Sequence, residues 1–104
     1  MNKYTDIVKK IHSSQFKITF VSSGGGTNAI SSLLEVPGAS DTILESYIPY
    51  SKESMDQFLN RKPDHYCSLD TCLSMGANAF KKSREIASKT KSKYLLGLAI
   101  TANL

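Results

Sequence analysis

The residues best suited to chemistry gather around a glycine run. Ser22 and Ser23 precede Gly24, Gly25 and Gly26, and Thr27 follows. Glycine lets backbone N–H groups approach a ligand closely, and the N-terminus of a following helix favours an anion. Together these features suit the floor of a small-molecule site. Ser40 closes Val36-Pro-Gly-Ala-Ser40, one short helix later, and is expected to return to that floor. The glycines match neither common phosphate-binding pattern. No Gly-Lys-Ser/Thr follows them, and their spacing is not Gly-x-Gly-x-x-Gly. Without a ligand, the run reads as a tight strand-to-helix connection and Ser40 as a turn residue.

Other reactive side chains are scattered. Cys67 and Cys72 are spaced neither as a redox Cys-x-x-Cys nor as half of a zinc knuckle, and of the histidines only His65 is near. They read as reduced thiols, at least one of them packed in a core, and no metal site is expected. His12 ends an amphipathic segment and is expected at the surface. Lys81, Lys82, Arg84, Lys89, Lys91 and Lys93 stand against a lone Glu85 and supply much of the net charge of +4. They fall at the C-terminal end of a predicted helix, where cations complement the macrodipole. No aromatics interleave with them, so a solvated helix end is a better reading than a nucleic-acid patch.

The elements that must position these groups follow from periodicity. Tyr4, Ile7, Val8 and Ile11 give an apolar stripe to a helix over 3–13. Phe16 to Val21 alternates as a strand that continues towards Ser22. A short helix follows the glycines, with Thr27 or Asn28 as its N-cap, and stops before Pro37-Gly38. A strand over about 43–48 ends at Pro49. Ser51 caps the next helix, whose apolar side is Met55, Phe58 and Leu59. Ser68 caps the longest helix, which runs to near Lys89-Thr90. Its expected buried stripe is Leu69, Cys72, Leu73, Gly76, Phe80, Ser83 and Ala87, with Gly76 allowing close packing. Tyr94 to Thr101 is almost wholly apolar and reads as a strand buried on both faces, central to its sheet.

This order predicts an α/β fold, a three-layer sheet flanked by helices. At 104 residues the chain is a single domain, 1–104, with a small core. No stretch is long and apolar enough to span a membrane. The N-terminus lacks the apolar segment of a secretory leader, so a cytoplasmic protein is expected. A chain that stops just after a central strand also suggests missing sheet and helix, or a partner that supplies them.

Four segments in register carry a resemblance: Val36-Pro-Gly-Ala-Ser40, Pro49-Tyr-Ser51, Cys67-Ser68 opening the long helix, and Ala99-Ile-Thr101. From about residue 4 onward, their order and spacing resemble the CinA C-terminal domain, the nicotinamide-nucleotide amidase family. The glycine loop, Ile43-Leu-Glu45 and Pro63-Asp-His-Tyr-Cys-Ser68 are most similar to a divergent branch. In that branch the domain is often fused to, or associated with, an adenylyltransferase-like domain. The resemblance implies a partial CinA-like α/β domain that lacks its C-terminal part, and it is compatible with a homo-oligomer.

The implied activity is deamidation of nicotinamide mononucleotide, a pyridine nucleotide, to nicotinic acid mononucleotide and ammonia, with no metal or cofactor. A serine attacks the carboxamide and a neutral lysine takes its proton. By position, the nucleophile falls on Ser40. Ligand-binding positions fall on Ser23, Gly24, Gly25, Gly26, Thr27, Tyr50 and Ser51. The family's lysine falls on Met55, which cannot accept a proton, and its glutamate ahead of the loop falls on Ser22. Lys52, on roughly the same helix face as Met55, is the substitute base. The resemblance therefore leaves two readings open: an amidase acting through Ser40 and Lys52, or a catalytically silent relative that binds a nucleotide or a partner. A structural fragment without a competent site is a third.

Overall fold

A computed structural model describes residues 3–102. Helices α1 (Thr5–His12) and α2 (Thr27–Leu34) cover one face of a sheet, and α3 (Lys52–Leu59) and α4 (Leu69–Ile86) cover the other. The strands are β1 (Lys17–Gly24), β2 (Ile43–Tyr47) and β3 (Leu95–Ala102), all parallel, in the order β2-β1-β3. The three-layer α/β architecture matches the sequence expectation.

β1 is the axis of the fold. Its alternation sends Phe20 into a core with Val8, Ile30, Leu33 and Val36, and Val21 into a second core with Met55, Leu59, Met75 and Ala79. Burying each large apolar side chain contributes roughly 1.5–3 kcal/mol. Both predicted serine caps are present: Ser51 Oγ accepts from Ser54 N, and Ser68 Oγ accepts from Thr71 N, each at 3.1 Å. The cap of α2 is instead Gly26, in the left-handed region, so Thr27 is already helical.

Three expectations are corrected. β3 lies at the edge of the described sheet, not its centre, and Leu98 is 42% exposed. In α4 the buried positions are Thr71, Met75, Ala79 and Ser83, while Leu69 and Leu73 face solvent. Thr71 is held by a hydrogen bond from its hydroxyl to the His65 carbonyl. Ser83 Oγ lies 2.8 Å from both Thr19 Oγ1 and the Leu96 carbonyl. Its single hydrogen satisfies the carbonyl and its lone pair accepts from Thr19. Finally, His12 is buried. Its Nε2 donates to the Leu33 carbonyl at 2.8 Å, and Nδ1 lies 2.6 Å from Thr42 Oγ1, so the ring ties α1 to α2 and to the start of β2.

Candidate functional site

The parallel strands all point the same way, and their C-terminal ends form one rim. From β1 the chain crosses to β2 on one side through α2, then passes back to β3 on the other side through α3 and α4. The connections therefore diverge between β1 and β3, which is where open parallel sheets form a crevice for ligands. A cavity of about 380 Å³ sits there. It is lined by Ser23 and Gly24 of β1, Thr101 and Ala102 of β3, Lys52 and Met55 of α3, and Tyr50, Tyr66 and Cys67 of the connecting loops.

Hydrogen bonds fix this rim. Ser23 Oγ donates to the Pro49 carbonyl at 3.2 Å, which binds the β2–α3 loop to the end of β1. Thr101 Oγ1 donates to the Tyr66 carbonyl at 3.2 Å and holds the loop before α4 to β3. Tyr66 Oη donates to Asp56 Oδ1 at 2.7 Å. That bond to the Asp56 carboxylate, with burial, raises the Tyr66 pKa. Lys52 Nζ lies 5.8 Å from the centre of the Tyr66 ring, placing a cation beside an aromatic face at the mouth. Tyr50 is 75% exposed and borders the same mouth. Met55, at 1% exposure, closes the floor and belongs equally to the core beneath.

Gly24 is required by geometry. Its φ of +83° is left-handed, and a Cβ there would lie 2.1 Å from the Ala102 carbonyl oxygen. The first glycine of the run thus lets the ends of β1 and β3 meet at the crevice. Gly25, Gly26 and Thr27 do not line the cavity. Gly25 offers its carbonyl to Ser22 Oγ at 3.1 Å, and Thr27 opens α2. Ser51 stands at the α3 N-terminus, its oxygen already accepting from Ser54 N.

Ser40 is not brought to this cavity. It lies in the 3-10 turn Ala39–Asp41, immediately before β2, and the Thr42 carbonyl accepts from Ile18 N at 2.7 Å. Ile18 is six residues before Gly24, which at ~3.3 Å per residue puts the Ser40 turn roughly 20 Å from the glycine loop. The reason is topological. β1 rises to the rim, α2 descends, and β2 begins again at the opposite end of the sheet. Sequence reasoning also missed Tyr66, Cys67, Thr101 and Ala102 as lining residues. Their signal was position alone: two end the second strand beside β1, and two immediately precede the α4 cap.

A second aromatic site flanks β2. Tyr47 packs against Phe58 with ring centres 5.3 Å apart, and Lys82 Nζ sits 4.9 Å from its ring centre. Its hydroxyl donates to the Glu45 carboxylate. Burial, then that hydrogen bond and the Glu45 charge, push its pKa up to about 12. A tyrosine whose folded pKa is raised contributes stability below the unfolded value of about 10, lost as pH climbs through the folded value. A tyrosinate absorbance titration is therefore expected to show a late phase near pH 12 that disappears in Tyr47→Phe. The unfolding midpoint should fall between about pH 10 and 12, less steeply in that variant.

The fold and its crevice define a parallel three-layer α/β domain of the kind that takes ligands at the strand C-terminal ends. A model of the CinA C-terminal domain matches residues 2–101, so the chain belongs to the CinA C-terminal domain family. Among solved structures it is similar to the competence/damage-inducible protein CihA from Agrobacterium tumefaciens. The TM-score is 0.64 at 19% identity, over 76% of this chain and 51% of that one. At that identity the likeness shows the fold, and this chain spans about half the length of that protein. No curated protein matches the chain. Among the described residues, no helix is long and apolar enough to cross a membrane, and no group of His, Cys, Asp and Glu could hold a metal ion.

Proposed function

We propose that this chain binds a pyridine nucleotide at the β1–β3 crevice and does not itself hydrolyse the carboxamide. The observation that carries the reading is Met55, fully buried at the crevice floor where the family resemblance places the catalytic lysine. The binding half rests on the rim. Lys52, at the first turn of α3, offers a cation and a helix N-terminus to a phosphate. Tyr50 and Tyr66 offer aromatic faces to a flat pyridine ring. Ser23 and Thr101 supply hydroxyls beside them. A second reading, hydrolysis through Ser40 with Lys52 as base, has the position of Lys52 in its favour. The roughly 20 Å between the Ser40 turn and the glycine loop counts against it.

The test pairs calorimetry with an ammonia assay on nicotinamide mononucleotide. Heat of binding without ammonia is expected, with affinity weakened about tenfold or more in Lys52→Glu through loss of the phosphate contact. Ammonia release that vanishes in Ser40→Ala would establish the hydrolytic reading instead. No heat from folded protein would remove both.

A further inference from the structure

The hydroxyls that fix the rim of the crevice each have one hydrogen, and each commits it to another protein group. Ser23 gives its hydrogen to the Pro49 carbonyl, Thr101 to the Tyr66 carbonyl, and Tyr66 to the Asp56 carboxylate. What Ser23 and Thr101 have left for an occupant is lone pairs, the negative end of each dipole. Among the described residues that line the cavity, Lys52 alone carries a formal charge.

Negative charge also stands behind one wall. Asp56 accepts from Tyr66 Oη at 2.7 Å and does not itself line the cavity. With Glu53 of the same helix, it acts on the phenol electrostatically. A phenol that donates to a carboxylate gains electron density in its ring, which deepens the negative potential over its faces. The ring is held at one end by the Asp56 bond and at the other by the Thr101 bond to the Tyr66 carbonyl. One cation already uses this ring: Lys52 Nζ lies 5.8 Å from its centre. Lys52 is exposed on a flexible stem, and it is the group that offers a charge to a phosphate at the mouth. An occupant that draws Lys52 to its phosphate vacates the Tyr66 face. A ring that brings its own positive charge refills it.

We infer that the crevice distinguishes pyridine nucleotides by the charge of the ring: it takes the oxidised, cationic pyridinium in preference to the neutral dihydropyridine, and Asp56, acting through Tyr66, sets that preference. The inference rests on the crevice being a pyridine-nucleotide site. The two ring states carry the same phosphate, ribose and carboxamide and nearly the same outline, so contacts to those groups contribute equally to both. The ring charge separates them, and the hydroxyl lone pairs, the Tyr66 face and the Asp56 carboxylate all favour it. Asp56 lies outside the cavity lining and is a positioning residue, which orients the Tyr66 ring and enriches it.

Calorimetry with nicotinamide mononucleotide and with its dihydro form tests this. The oxidised form is expected to bind at least about fivefold more tightly. Tyr66→Leu should bring the two affinities to within about twofold of each other. Asp56→Asn keeps a hydrogen-bond acceptor for Tyr66 and removes the charge, so the preference should fall by about half while the protein stays folded. A merely structural role for Asp56 would weaken both forms alike and leave their ratio unchanged. Equal affinities in the wild type overturn the inference and leave the crevice standing as a pyridine-nucleotide site. So does a preference that neither substitution moves. Failure of folded protein to bind either form removes the crevice reading and this inference with it.

Discussion

Replacing Met55 with lysine is expected to destabilise the protein by about 4 kcal/mol at neutral pH and to leave it without amidase activity. Met55 is packed by Val21, Leu59, Met75 and Ala79 on its core side and meets the cavity on the other. An ammonium placed there is desolvated, and Lys52 at the cavity mouth adds a like charge. Both effects favour the neutral amine and lower the lysine pKa. A fall of about 3 units costs about 4 kcal/mol while the unfolded chain keeps its proton. The open side of the cavity lets the side chain reach towards water, which limits the shift. The sign of the pH dependence follows from a depressed folded pKa. The penalty is full at low pH, shrinks as pH rises past the folded pKa, and is exhausted near the unfolded value of about 10.4. Denaturation of variant and wild type from neutral to alkaline pH should therefore converge. A difference that stays constant would mean that residue 55 is solvated. Ammonia released from nicotinamide mononucleotide by this variant would place a competent nucleophile beside residue 55 and overturn the silent-binder reading.

The order of elements was legible because its signals are local. Amphipathic spacing, the caps at Ser51 and Ser68, and the stop at Pro37-Gly38 each act within a turn or two. The family was legible from segments that keep their order along the chain. Depth of burial was less legible. Ser83 and His12 are buried because each finds a hydrogen-bond partner far along the chain, Thr19 being 64 positions from Ser83 and Thr42 30 positions from His12. Hydrophobic patterning cannot see such partners. The apolar run of β3 reads as central because two-sided hydrophobicity ordinarily means two-sided cover. Among the described residues it is an edge strand, with α4 packed against one of its faces.

The site was half legible for a related reason. Ser23, Gly24, Tyr50 and Lys52 do converge, from two chain segments. The resemblance puts the nucleophile on Ser40 and so at the glycine loop, yet a strand-helix-strand crossover sends the chain back by one sheet length. The alternation of strand and helix already contained that information. Tyr66 and Thr101 needed the sheet order, which pattern alone does not supply, because β3 could have paired on either side of the first two strands.

The packing of α4 on β3 is tested by two glycines, Gly97 in the strand and Gly76 in the helix. A Cβ on Gly97 would lie 2.2 Å from Phe80 N and 2.4 Å from the Gly76 carbonyl oxygen. Both are backbone atoms of a long helix, so no rotamer change relieves the overlap, and α4 must lift from the strand. Gly97→Ala is therefore expected to cost at least about 3 kcal/mol, at the upper end for overpacking. For a domain of this size that lowers the melting temperature by roughly 12–24 °C. Lifting α4 also strains the hydrogen bond from Ser83 to the Leu96 carbonyl and loosens the cavity wall at Thr101, so the nucleotide affinity proposed for the crevice should fall with stability. Gly76→Ala should behave in the opposite way. Its Cβ would sit 3.8 Å from Ala99 Cβ and 3.9 Å from the Gly97 carbonyl oxygen, which is ordinary contact. Alanine is also better than glycine inside a helix by about 1 kcal/mol. Thermal unfolding of the two variants side by side should give a neutral or raised midpoint for Gly76→Ala and a large drop for Gly97→Ala. Equal losses would mean that α4 crosses β3 elsewhere, because the close approach belongs to the strand glycine and not to the helix glycine that the sequence singles out.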